Sequence, residues 1–143
     1  MKTWYAKENE VERKWWIVDA TDKRLGRIAT HIANKVRVKD KAIFTPHADT
    51  GDFVIVVNAS KIQLTGDKLR QKKYYRHSRF FGSLKEKSAA ELVNENPSFL
   101  VREAVRGMLP TNKLSRDILS KLKTYDGPDH PHAAQKPEAL TLD

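Results

Sequence analysis

The densest chemistry in the chain lies in residues 68–87. There eight cations, Lys68, Arg70, Lys72, Lys73, Arg76, Arg79, Lys85 and Lys87, stand against a single acid, Glu86. Interleaved with them are Tyr74, Tyr75, His77, Phe80 and Phe81. Cations neutralise phosphates and planar side chains stack on unpaired bases, so this interleaving suits an RNA-binding surface. For any one of these aromatics core packing is the better reading, but the segment as a whole points to nucleic acid.

A second cluster, Thr45-Pro46-His47-Ala48-Asp49-Thr50-Gly51-Asp52, sets a histidine and two carboxylates at short spacing. Such a set could hold a hard metal ion in a phosphoesterase. The same residue types also build a turn into a buried strand, with Asp side chains accepting local N–H groups, and the turn is the preferred reading. The Asp19–Arg27 stretch could present helix N–H groups to a phosphate, but its one glycine matches neither dinucleotide nor P-loop spacing. His130-Pro131-His132 is at most half a metal site, and anchoring of the tail to RNA or protein is expected instead. No Gly-x-Ser-x-Gly elbow is present, so catalysis has no positive support, and neither metal nor cofactor is expected.

Composition agrees with a polyanionic partner. Lys and Arg number 27 against 18 Asp and Glu, a formal charge of +9. With no cysteine, disulfides, thiolate zinc sites and cysteine nucleophiles are excluded, which fits an intracellular, cytoplasmic location. The amino-terminal residues lack the apolar run of a signal peptide, and no stretch is long enough to span a membrane.

The elements that must carry these groups are legible from apolar periodicity. Trp15-Trp16-Ile17-Val18 and Phe53-Val54-Ile55-Val56-Val57 read as strands of a parallel sheet. Between them Leu25, Ile28, Ala29, Ile32, Ala33 and Val36 make one helical stripe, with Thr21 and Asp22 as cap candidates. Strand, helix, strand implies a right-handed crossover that leaves Arg24, Arg27, His31 and Lys35 toward solvent or a partner. Lys61-Ile62-Gln63-Leu64-Thr65 alternates as a short strand before Gly66-Asp67, and a further extended stretch includes Tyr74 and Tyr75.

The second half reads as helical. A short helix is expected around residues 88–93. Pro97 then opens a helix carrying Phe99, Val101, Ala104, Val105 and Met108, which Gly107 and Pro110 end. Leu114, Ile118, Leu119 and Leu122 form a last stripe, with Lys113, Arg116, Lys121 and Lys123 on its outer surface. From about residue 126 the proline-bearing tail is expected to be extended and to lie on something else. No internal repeat or linker composition appears, so residues 1–143 are expected to form one domain with that tail.

These motifs together resemble the bacterial large-subunit ribosomal protein thirteen family along nearly the whole chain. The resemblance rests on Trp16-Ile17-Val18-Asp19-Ala20, Leu25-Gly26-Arg27, Thr45-Pro46-His47, Asp49-Thr50-Gly51-Asp52, Tyr74-Tyr75-Arg76-His77-Ser78, Gly107-Met108-Leu109-Pro110 and His130-Pro131-His132-Ala133-Ala134-Gln135. It implies a three-layer α/β/α fold with a small, mostly parallel sheet of about four strands. It also implies early assembly onto large-subunit rRNA beside neighbouring ribosomal proteins, with no enzymatic role, membrane or small-molecule substrate. Lys68, Lys72, Lys73, Tyr74, Tyr75, Arg76, His77, Arg106, Lys113 and Arg116 carry over as RNA contacts. His47, Asp49, Thr50, Gly51 and Asp52 carry over as motif without an assigned role.

To the RNA-facing set we add Arg24, Arg27, Lys35, Arg37, Lys39, Lys41, Arg70, Arg79, Lys121, Lys123, His130 and His132. Two departures stand out. Arg79-Phe80-Phe81-Gly82-Ser83 replaces the family's usual Pro-Gly-Gly, implying a differently shaped loop. Arg37-Val38-Lys39 replaces Arg-Gly-Lys, losing the glycine that tolerates a positive φ at a helix exit. The alternatives kept open are a metal-dependent phosphoesterase at His47, Asp49 and Asp52, and a regulatory RNA-binding protein acting off the ribosome.

Overall fold

The computed structural model describes residues 2–142. Its centre is the pair of apolar strands, β1 (Trp15–Asp19) and β2 (Phe53–Val57), which lie parallel with Trp15 beside Phe53 and Asp19 beside Val57. Between them runs α1 (Leu25–Arg37), and all six residues of its expected stripe are buried.

The expected caps are not used. The Asp19 carboxylate accepts from the Thr21 backbone N–H at 2.9 Å, the Thr21 hydroxyl at 2.7 Å and the Asn58 amide at 2.9 Å. These donors hold its pKa below the ordinary aspartate value. Thr21 is thereby tied into a turn, Asp22 takes φ +55°, and Arg24 precedes the helix without a capping side chain.

At the other end of α1, Val38 adopts φ +60° although it is not glycine, and its N–H bonds to the Asn34 carbonyl. The left-handed conformation costs about 1–2 kcal/mol, whereas burying a valine side chain stabilises by about 1.5–3 kcal/mol. Val38 is fully buried, so its side chain offsets the cost of the left-handed helix exit by adding to the core.

After β2 the chain turns at Asn58 into a short 3-10 turn, Ala59–Lys61, and the expected strand at residues 61–65 does not form. Ile62 and Leu64 do point inward, but Gln63 bonds to the loop before α1, donating to Lys23 O and accepting from Leu25 N–H. The alternation is real; its partner is a loop, with a single bridge between Arg24 and Gln63.

Then follow α2 (Lys68–Gln71), β3 (Lys73–His77), β4 (Leu84–Ser88), α3 (Ala89–Glu95), α4 (Pro97–Met108) and α5 (Lys113–Ser120). Ser88 and Glu91 form a reciprocal capping box on α3, and Pro97 opens α4 beneath an Asn96 cap, as its missing N–H allows. Leu122 does not continue the last helix. It begins β5 (Leu122–Thr124), which pairs parallel with β2.

The tail packs on the chain itself. It returns to the chain's own sheet as β6 (Glu138–Ala139), parallel to β1, giving the order β5-β2-β1-β6. The result is an α/β fold with a four-stranded parallel sheet, a helical second half and a carboxy-terminal extension.

β1, β2 and β5 step in one direction across the sheet, so connections of one hand place their helices on one face. There Val18, Val54 and Val56 pack with the α1 stripe and with Leu100, Val101 and Val105 of α4. The return from β5 to β6 runs the opposite way and crosses the other face. On that face Trp15 stacks on Phe53 at 4.3 Å, and the tail residue His132 packs on Trp15 and bonds to the Tyr125 hydroxyl at 2.7 Å. If the tail is a true third layer, Ile55→Ala should lower the unfolding free energy by about 2–5 kcal/mol in urea titration, the cost of a core cavity. A loss below about 1 kcal/mol would mean that this face is not a dry core.

Candidate nucleic-acid interface

The cationic segment folds as a two-stranded antiparallel ribbon apart from the main sheet, with β3 against β4. Only Tyr74 of β3 is partly buried, packing edge-on to Phe99 of α4 with the Lys72 ammonium over its ring. Burial raises the Tyr74 phenol above its ordinary pKa, so it stays neutral. Tyr75, Arg76, His77 and Arg79 are exposed, Tyr75 by 61%. Lys73 pairs with Glu86 at 2.8 Å, and Lys87 pairs with Glu95. Arg76 faces Lys85 across the ladder, an exposed like-charge pair.

A second basic surface lies where α4 gives way to α5. A cleft of about 700 Å³ is lined by Arg102, Arg106, Lys113 and Arg116 around Gly107, Leu109 and Pro110. Glu103 takes both its carboxylate oxygens to Arg106 at 3.1 Å, leaving the other three cations of the cleft without an ion pair among the described residues. Arg102 was not foreseen; its place four residues before Arg106, on the same helical face, was the available signal. Arg24, Arg27 and His31 line a smaller recess of about 290 Å³ beside α1.

Other expected contacts are placed differently. Lys35 pairs with Asp40 and lies over the Trp16 ring, Arg37 lies over Phe44, and Lys41 pairs with Asp52. Lys39, Lys68 and Arg70 are exposed, while Lys123, His130 and His132 are half-buried. Lys121 requires correction. It is only 4% exposed, and its ammonium is paired with Asp49 and also donates to the Val36 carbonyl. Burial pushes it below the usual lysine range, while the Asp49 carboxylate pulls it back.

The carboxylates of the histidine and carboxylate cluster are internal wiring. Asp52, 0% exposed, accepts from Lys14 N–H at 3.0 Å, Trp16 indole N–H at 3.0 Å and Lys41 at 2.7 Å. Asp49 accepts from Gly51 N–H at 3.1 Å as well as from Lys121. A Cβ on Gly51 would overlap the Val36 carbonyl oxygen, so only glycine fits there. Thr50 is buried, and His47 is exposed beside Tyr5. The cluster stands at the amino ends of β1 and β2, whereas open α/β sheets bind ligands at the carboxyl ends of their strands. Among the described residues no group of three His, Asp or Glu side chains is arranged to hold a metal, and no helix is long and apolar enough to cross a membrane.

The family described as Ribosomal protein L13 matches residues 13–131. The chain belongs to that family. It is similar to proteins named Large ribosomal subunit protein uL13. The one from Bdellovibrio bacteriovorus is 60% identical over 99% of this chain and 97% of the relative. Those from Geobacter sulfurreducens (56%, 96% of both chains) and Maridesulfovibrio salexigens (51%, 98% of this chain and 99% of the relative) align over almost the same span. The family resemblance read from the sequence is therefore confirmed, and the cluster at His47, Asp49 and Asp52 lies within the matched region.

Lys121→Ala should cost about 3 kcal/mol in urea titration, because it leaves the Asp49 carboxylate without its buried partner. Asp49→Asn combined with Lys121→Met should be less destabilised than the two single changes summed. Strict additivity in that cycle would mean that the pair is not coupled.

Proposed function

We propose that this chain is a structural, RNA-binding constituent of the large ribosomal subunit and has no catalytic role. It acts in the cytoplasm, bound to the ribosome, joining large-subunit rRNA early in assembly and touching neighbouring subunit proteins. It needs no cofactor, membrane or small-molecule substrate. The observation that carries this reading is the contrast between two sets of charges. The carboxylates of the best enzymatic lead are consumed inside the protein, while the ribbon offers Arg76 and Arg79, and the α4–α5 cleft Arg102, Lys113 and Arg116, with no acidic partner among the described residues.

In this reading Lys68, Arg70, Lys72, Arg76 and Arg79, with Arg102, Lys113 and Arg116 in the cleft, neutralise phosphates and release counterions. Arg24, Arg27 and Lys39 extend the basic surface along α1. Phosphate contacts fix orientation without reading sequence, which suits a protein that holds RNA helices relative to one another. The rigid sheet matters because a scaffold must keep separate basic patches at fixed spacing.

Changing Arg76 and His77 together to Ala should weaken binding to a large-subunit rRNA transcript. Both side chains are exposed, so the fold should be kept. The slope of log affinity against log salt should fall by about one for the lost arginine contact. Filter binding at several salt concentrations, with circular dichroism as the folding control, measures both. Unchanged affinity and slope in a folded variant would remove the ribbon from the RNA interface.

A further inference from the structure

The outer end of the ribbon carries two aromatic side chains left largely uncovered by the described residues. β3 and β4 close at the His77 and Leu84 pair, and residues 78–83 form the loop. At its tip Phe80 is 77% exposed and Phe81 108% exposed. Full burial of one such ring is worth about 1.5–3 kcal/mol, little of which these residues contribute to the fold.

Hydrogen bonds fix the backbone of the loop that carries these rings. Ser83 donates both its N–H and its hydroxyl to the Phe80 carbonyl, at 3.2 and 2.7 Å, and its Oγ accepts from Ser78 N–H at 3.3 Å. Arg79 N–H bonds to His77 Nδ1 at 2.8 Å. Arg79 itself sits at φ +71°, a left-handed conformation that a side chain adopts only at a cost, beside Gly82 at φ +70°. A strained arginine thus stands next to two unburied phenylalanines.

The electrostatic surroundings decide the kind of partner. Residues 76–85 contain Arg76, Arg79 and Lys85 and no acid, and Arg76 lies directly across the ladder from Lys85. Like charges facing each other destabilise a ribbon in isolation and are relieved by an anion. An apolar pocket on a protein would accept the rings but leave these cations unmatched. A phosphate backbone with a base out of its stack matches both.

We propose that Phe80 and Phe81 form a stacking wedge that engages unpaired bases of RNA, with Arg76, Arg79 and Lys85 on the flanking phosphates. This rests on the RNA-binding reading given above and adds to it a recognition element for non-helical RNA. Aromatic stacking tolerates any base, so the wedge selects an open or bulged backbone rather than a sequence.

The test uses the full-length chain and its Phe80→Ala/Phe81→Ala variant, with a large-subunit rRNA transcript from the same bacterium as probe. The variant should bind at least about tenfold more weakly, with an unchanged salt slope, because the rings neutralise no phosphate. With a photoreactive phenylalanine analogue in place of Phe81, irradiation of assembled large subunits should crosslink the chain to unpaired nucleotides. If the wild type binds the transcript and the variant binds equally well, or if the crosslink joins only protein, the wedge is refuted while the RNA-binding reading stands. If the wild type does not bind the transcript, the underlying reading falls and takes the wedge with it.

Discussion

The fold depends on a buried polar knot that fixes where three parallel strands begin. Lys14, Asp52 and Lys121 are the residues immediately before β1, β2 and β5. Asp52 binds the Lys14 N–H and the Trp16 indole, and Asp49, three residues earlier, takes the Lys121 ammonium. Backbone bonds at the same level, from Phe53 N–H to Lys14 O at 2.9 Å and from Val54 N–H to Lys121 O at 3.2 Å, complete the register. A slip of one residue would turn Val54 and Val56 away from the helices and leave buried charges unpaired.

This constraint separates the charges that hold the protein together from those available to a partner. The exposed pairs Lys73–Glu86, Lys87–Glu95 and Arg106–Glu103 are of the kind that adds little to stability. Removing a partner from the buried set is far more costly. The excess of cations on the ribbon and cleft therefore has no account in folding, and a polyanionic partner supplies one.

Features governed by local periodicity were legible in the sequence. The α1 stripe, the cores of β1 and β2, the opening of α4 at Pro97 and the extended Tyr74-Tyr75 stretch all follow from spacing and residue type. Features governed by distant pairing were not. β5 and β6 have three and two residues, too short for a pattern, and exist because an adjacent edge of the sheet accepts them. Residues 61–65 alternate like a strand but meet a loop. Lys121 looked like one more surface cation because its partner Asp49 lies 72 positions away. The RNA-facing set came partly from the family resemblance and partly from the run of cations, and burial then divided it, leaving Arg76, Arg79, Lys113 and Arg116 outside and taking Lys121 inside.

The central claim is that this chain is an integral part of the large ribosomal subunit. The most direct measurement is a sucrose-gradient profile of cell lysate, with each fraction probed for the chain before and after a high-salt wash. The account predicts a near-stoichiometric amount in the large-subunit peak that survives the wash. Recovery only in the soluble fractions at the top of the gradient would contradict it.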